Sequence, residues 1–258
     1  MRLMKRILSA AAALALSASL LVGCSSGTAS SVPVSASSAA ESTVSSVEET
    51  ASSAVDENEA AAAQLLNDLT GSYQELWPVI LADEYKQTWL DDCTALVGED
   101  NAEAAFEKLS SMVTGDVYGE DAVKAYANGG GAYFCGFTNS LATLTFDGET
   151  STISGTDKDG NVLFSHTYHY IGMEPVHGLY EFESDDADSG EFTYFFLAPD
   201  TSAETYHIEF RYGSDAEALS QYDAGEYAYW VASGISTDCD QTMIDNCIEL
   251  FCTENLAG

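Results

Sequence analysis

Hydrophobic positions divide the chain beyond residue 60 into three zones. In the first zone, residues 62–127, large apolar side chains recur every three or four positions, which predicts helices. We expect one helix over residues 102–112, capped by Asn101, and a shorter one over residues 121–127. The apolar positions that carry the first part of this pattern are Leu65, Leu66, Leu69, Tyr73, Leu76 and Trp77.

In the second zone, residues 132–212, apolar and polar residues alternate in short runs, a pattern typical of β-strands. Turn signals such as Asp147-Gly148 and Pro199-Asp200 separate the runs. The third zone, residues 215–256, returns to helical spacing. The predicted strands cover residues 133–137, 142–146, 151–155, 162–171, 178–183, 192–197 and 205–212.

This order of zones predicts an α+β fold that is mainly β. Short antiparallel strands at even spacing favour a calycin-like barrel, flanked by N- and C-terminal helices. A barrel of about eight strands has room inside for its own side chains or for one small ligand.

The first 23 residues are typical of a lipoprotein signal peptide. Arg2, Lys5 and Arg6 precede an apolar run that is too short to span a bilayer. Residues 21–24, Leu-Val-Gly-Cys, then form a lipobox, which predicts cleavage before Cys24 and lipidation of its thiol. We therefore expect an extracytoplasmic protein that is anchored to the cell membrane through lipid.

Residues 24–59 are rich in Ser and Ala and contain no aromatic residue. Such a segment cannot bury enough apolar surface to offset its ordering entropy, so it is predicted to be a disordered tether. Residues 60–258 form the predicted folded domain.

Acidic residues dominate the mature chain, which keeps five basic residues beside all 42 acidic ones. A charge of this sign repels phosphate backbones and argues against nucleic acid as a partner. It is compatible with attraction of cations, although a solvated acidic surface gives the same composition.

Five cysteines follow Cys24, and some of them should pair in an oxidising compartment. Cys247 and Cys252 do not share a helix face, so they are not expected to pair with each other. No Cys-x-x-Cys spacing favours a zinc–thiolate cluster. The pairing therefore stays open among Cys93, Cys135, Cys239, Cys247 and Cys252.

The sequence contains neither Gly-x-Ser-x-Gly nor His-Glu-x-x-His. Carboxylates are too abundant for any pair of them to indicate acid–base catalysis. The expectation is therefore that the protein is not an enzyme.

Several segments, in the same order and at similar spacing, resemble the ZinT/YodA family of extracytoplasmic zinc-binding proteins. The resemblance covers about residues 65–256. It rests on residues 69–79 (LTGSYQELWPV), 168–172 (YHYIG), 178–183 (GLYEFE), 198–199 (AP), 206–210 (YHIEF) and 227–234.

The resemblance implies a calycin-like barrel that holds Zn²⁺ through three histidines, one just before Ala-Pro and two in His-x-His. It also implies a zinc transporter of the ABC class, or its binding protein, as a partner. In this chain Phe195 and Thr205 occupy two of the ligand positions, and His207 alone is retained.

A substitute metal site is one hypothesis. Glu209 lies two residues from His207 and so shares its face of a strand, and His169 or His177 would be the third ligand. His166 and His169 should point to opposite faces of their strand. The alternative is a metal-free barrel in which the apolar position Phe195 helps to bind a small apolar ligand.

Overall fold

Eight antiparallel strands close into a barrel in the computed structural model, which describes residues 57–198 and 207–257. Each strand pairs with the next along the chain, and β1 pairs with β8 to close the ring. The predicted fold class is confirmed. The strands are β1 Gly71–Glu75, β2 Thr143–Asp147, β3 Thr152–Thr156, β4 Val162–Met173, β5 Tyr180–Ser184, β6 Tyr194–Leu197, β7 His207–Gly213 and β8 Ala232–Ser236.

Helices before and after the barrel strands pack together against one side of the wall. The longest in the described residues, Gln241–Leu256, begins after Asp240, whose carboxylate accepts a hydrogen bond from the Met243 N–H at 3.0 Å. It packs against the helix Lys86–Val97, which in turn packs against the helix Glu99–Ser111. The helices are α1 (57–68), α2 Leu76–Ile80, α3 Lys86–Val97, α4 Glu99–Ser111, α5 Glu120–Ala127, α6 Ala216–Leu219 and α7 Gln241–Leu256, with 3₁₀ turns at Asp83–Tyr85 and Gly190–Phe192.

The structure corrects four sequence expectations. The third zone is not helical throughout, because Ala232–Ser236 within it forms β8. Asn101 does not cap a helix, because α4 begins at Glu99 and the Asn101 amide donates to the Val97 carbonyl at 3.0 Å. Residues 133–137 do not form a barrel strand, and only Phe134 among them makes isolated bridges, to Thr114 and Trp230. Tyr73, assigned to a helix by its spacing, lies in β1 and opposite Ser236 of β8.

Aromatic side chains fill the barrel interior. Phe195 is fully buried there, with its ring centroid 5.4 Å from those of Tyr168 and Tyr212. Alternate residues of the strands supply these rings, since side chains at i and i+2 face the same way. These rings include Phe146, Phe164, Phe182, Phe195, Phe210 and Tyr212.

A second apolar cluster lies between the outer face of the barrel wall and the helices. Trp77 of α2 meets Phe251 of α7 with ring centroids 4.7 Å apart. Trp89 of α3 is fully buried and donates its indole N–H to the Ile80 carbonyl at 2.7 Å. Outward-facing residues of the wall beneath this layer are therefore shielded from water.

Cys24, Thr205, the signal peptide and residues 24–56 of the tether lie outside the described residues. Helix α1 includes residues 57–59, which the sequence pattern assigned to the tether. Within residues 57–198 and 207–257, no helix combines the length and apolarity that a bilayer crossing requires.

Candidate functional site

Strand β7 presents two different faces, one to the barrel interior and one to the helical layer. Ile208, Phe210 and Tyr212 belong to the interior aromatic cluster. His207 and Glu209 alternate with them and therefore face outward. They are nonetheless only 3% and 8% exposed, because α2 and α7 cover this part of the wall.

His207 and Glu209 line a small cavity between β7 and these two helices. Its volume is about 10 Å³, roughly the space that one water molecule needs. Cys247 of α7 lines the same cavity from the helix side. The full lining is Leu76, Trp77, Ile80, His207, Glu209, Cys247 and Phe251.

Burial lowers the pKa of His207 to about 4, because the charged imidazolium loses its hydration in this layer. The ring is therefore neutral near pH 7. The neutral imidazole is the form that binds Zn²⁺, because one of its nitrogens keeps a free lone pair in the ring plane.

The two thiols of this region are kept protonated by their surroundings. Burial raises the pKa of Cys247 to about 12. Burial, and then the nearby charge of Glu209, raise the pKa of Cys135. A metal that binds a thiolate here would have to displace a proton, which makes its affinity depend on pH.

The low pKa of His207 predicts an acid-sensitive contribution to stability. Between about pH 6.5 and pH 4 the unfolded chain binds a proton at this residue that the folded chain does not, so stability is lost as the pH falls. The free energy of unfolding should fall by about 3 kcal/mol through this residue between pH 7 and pH 4.

Urea unfolding of the His207→Gln variant from pH 7 to pH 4 measures this contribution as a difference from the wild type. The variant should lack the acid-induced loss, whereas His169→Gln, which keeps His207, should show it in full. Parallel pH profiles for the wild type and His207→Gln would contradict the assignment.

The other two candidate histidines lie in different surroundings. His169 projects from β4, and its Nδ1 lies 2.7 Å from the Asp185 carboxylate. His177 is buried in the turn after β4, where it packs on Tyr222 and its Nδ1 lies 3.4 Å from the Glu174 carboxylate. Neither lines the cavity of His207 and Glu209.

His166 and His169 face opposite sides of β4. His166 lies between the interior residues Phe164 and Tyr168 in the alternation, whereas the His169 side chain is 53% exposed. The His166 Nδ1 lies 2.7 Å from the Asp186 carboxylate at the end of the barrel.

No three His, Cys, Asp or Glu side chains lie close enough together to hold a metal ion within residues 57–198 and 207–257. Phe195, at one lost ligand position, faces the barrel interior, on the opposite side of the wall from His207. The donor types at the cavity therefore suit zinc, but their spacing in this structure does not close around an ion.

Arg211, on the same outward face of β7, serves a different purpose. Its guanidinium donates to the carbonyls of Leu219, Gln221 and Tyr227 and lies 4.2 Å over the Tyr222 ring. It ties the segment after α6 to the barrel wall. Its role was not predicted from the sequence, because its partners lie at the end of α6 and in the irregular segment that follows, which the local pattern of β7 does not reveal.

Cys247 was also missed as a cavity residue. Ile244, Ile248 and Phe251 flank it at helical spacing and are buried, so its burial is readable from the sequence. Its proximity to His207 and Glu209 is not, because it depends on how α7 packs across the wall.

No protein-family model and no curated protein matches this chain. Among solved structures it is similar to the Zn(II)-bound ZinT-like domain of Streptococcus pneumoniae AdcA, with 15% identity and a TM-score of 0.46, over 71% of this chain and 89% of that domain. It is also similar to Zn(II)-bound AdcA from Streptococcus pneumoniae, with 16% identity and a TM-score of 0.42. That match covers 72% of this chain and 35% of AdcA.

Proposed function

We propose that this protein binds a divalent metal, foremost Zn²⁺, at the cavity between β7 and α7. His207 and Glu209 would be its contacts on the barrel wall and Cys247 the donor on the helix, once the three side chains have moved closer together than they lie in this structure. The single observation that carries the proposal is the burial of these three side chains around one cavity of about 10 Å³.

The chemistry of the three donors supports this choice of metal. Imidazole nitrogen, carboxylate oxygen and thiolate sulfur are the three ligand types that Zn²⁺ accepts in proteins, usually in tetrahedral arrangement. Hard cations such as Mg²⁺ and Ca²⁺ prefer all-oxygen sites. The cavity thus favours a borderline-soft ion over the alkaline-earth cations.

The cellular role follows from the predicted anchor. A lipid on Cys24 would hold the domain outside the cytoplasm, beside the membrane, and the tether would let it reach a neighbouring protein. We place the protein in metal uptake or homeostasis, with a zinc transporter of the ABC class, or its binding protein, as the partner.

Calorimetric titration of the metal-free, full-length protein with Zn²⁺ against a competing chelator tests the proposal. One-to-one binding is expected, and His207→Ala should weaken it by about 100-fold, since a lost ligand costs at least as much as a lost outer-shell partner. Glu209→Gln and Cys247→Ser, which keep the side-chain shapes, should weaken binding as well.

His169→Ala is the matched control, because it removes an exposed histidine outside the cavity. It should bind Zn²⁺ as the wild type does. Weak, many-site binding that salt abolishes equally in all variants would show that the acidic surface alone responds, and would overturn the proposal.

A further inference from the structure

Two buried cysteines from distant parts of the chain meet in the helical layer. Cys93 lies on α3 and Cys252 on α7, 159 residues apart in sequence, and their sulfur atoms are 3.9 Å apart. Both side chains are fully buried. They are separate from the metal cavity, which is lined by Cys247 on another face of α7.

Their surroundings hold them in this position. Helices α3 and α7 pack directly against each other, and Trp89 of α3 meets Phe251 of α7 with ring centroids 5.9 Å apart. The two sulfurs therefore sit in the centre of an apolar contact between helices. Neither can move away without opening that contact.

We propose that Cys93 and Cys252 form a disulfide that joins α3 to α7. The two sulfurs must approach from 3.9 Å to the bond length of about 2.05 Å. The bond would connect the helix before the barrel to the helix after it.

The bond would form by thiol–disulfide exchange with a protein or small-molecule disulfide, the oxidants present outside the cytoplasm. One S–S bond of the donor and the two S–H bonds of Cys93 and Cys252 break. One S–S bond between the two cysteines and two donor thiols form. The donor disulfide is reduced, the two cysteine sulfurs are oxidised, and both protons end on the donor thiols.

Burial decides when this exchange takes place. It raises the pKa of both thiols, which lowers the fraction of reactive thiolate, and it keeps the donor away. The bond must therefore form while the helices are still opening and closing during folding. Once α3 and α7 have packed, the same burial protects it from reductants.

The disulfide would also affect the cavity lined by His207, Glu209 and Cys247, because it fixes the position of α7. The disulfide does not require a metal in that cavity. Cys247 lies on α7 five residues before Cys252. A covalent link at Cys252 would limit sliding and rotation of α7 over His207 and Glu209. The link and the proposed metal site can each be tested without the other.

The test is peptide mapping of the full-length protein, exported to an oxidising compartment and unfolded in an alkylating agent without reductant. A cross-linked peptide pair containing Cys93 and Cys252 is expected, and it should disappear after reduction. The protein should gain the mass of two hydrogen atoms on reduction of this bond.

Thermal unfolding gives a second readout. Protein that has been unfolded, reduced and refolded in reductant should melt about 10 °C below the oxidised protein, since a disulfide that closes a long loop stabilises mainly by restricting the unfolded chain. The double variant Cys93→Ala/Cys252→Ala should show no such shift, whereas Cys239→Ala, a matched control, should keep it. Alkylation of Cys93 and Cys252 in the unreduced protein, or a bond from either to another cysteine, would overturn the proposal.

Discussion

Replacing Arg211 with leucine is expected to lower the free energy of unfolding by about 4 kcal/mol, because it leaves buried carbonyls without their donors. Arg211 is fully buried. Its guanidinium donates to the Tyr227 carbonyl at 2.5 Å and to the Gln221 carbonyl at 3.2 Å, and also to the Leu219 carbonyl. Leucine restores the apolar volume but supplies no donor.

The segment after α6 runs through residues 220–231 without a helix or barrel strand. Backbone hydrogen bonds hold its far end, from the Gly119 N–H to the Ala228 carbonyl at 2.7 Å and from the Phe134 N–H to the Tyr229 carbonyl at 3.0 Å. The guanidinium adds the donors for the Gln221 and Tyr227 carbonyls. Tyr222, which lies 4.2 Å below the guanidinium, would lose a cation–π contact at the same time.

Urea unfolding followed by tryptophan fluorescence measures the loss. Arg211→Lys should cost less than Arg211→Leu, because an ammonium keeps the charge and some of the donors but not the planar fork. Lys158→Leu, on an exposed turn, should stay within about 0.5 kcal/mol of the wild type. An Arg211→Leu variant as stable as this control would show that the carbonyls find other donors.

The second large effect is expected for Phe195→His. This change introduces the histidine that the resemblance to the ZinT/YodA family implies at this position. The variant should lose about 3 kcal/mol of stability, because an imidazole is smaller than the phenyl ring and brings polar nitrogens into an apolar interior. Phe195 is fully buried among aromatic rings, with Phe164, Tyr168, Phe210 and Tyr212 around it.

The same variant is not expected to bind Zn²⁺ more tightly. Residue 195 faces the barrel interior, whereas His207 faces the helical layer, so the strand wall separates the two side chains. The resemblance to the zinc-binding family places both positions at one site, and the structure does not.

Two measurements on the same preparations test this prediction: urea unfolding for stability and calorimetry for zinc affinity. Phe195→Leu is the matched control, since it changes volume without adding a polar atom, and it should cost less than Phe195→His. A gain of tenfold or more in zinc affinity for Phe195→His would contradict the placement of residue 195 in the interior.

The strands in the middle of the barrel were predictable from the sequence, and the two that close it were not. Most of the strands from β2 to β7 alternate between polar and apolar residues, and β6 is a short apolar run between turn residues, so the local pattern reveals them. In β1, Tyr73 happens to continue the helical spacing of the leucines before it. In β8, the small residues of ASGIS give no alternation to read.

Both closing strands owe their structure to their partners. Gly71–Glu75 pairs with β2 on one side and β8 on the other, and backbone hydrogen bonds to these neighbours override the local preference. Closure of the barrel therefore depends on pairing between β1 and β8, and the sequence of either strand alone does not predict it.

The order of residues along the chain is enough to predict which residues share a face of one strand or helix. The two-residue repeat of a strand is enough to put His207 beside Glu209, because successive side chains alternate across the backbone. The same rule placed His166 and His169 on opposite faces of β4.

Which of these faces meet depends on the folded domain. It covers the outward face of β7 with α7, which brings Cys247 to His207 and makes that imidazole a buried, neutral base. It brings the sulfur of Cys93 to that of Cys252 across most of the chain. Local backbone geometry sets the neighbours within a strand or helix, whereas contacts between distant segments depend on how the apolar faces of the whole domain pack together.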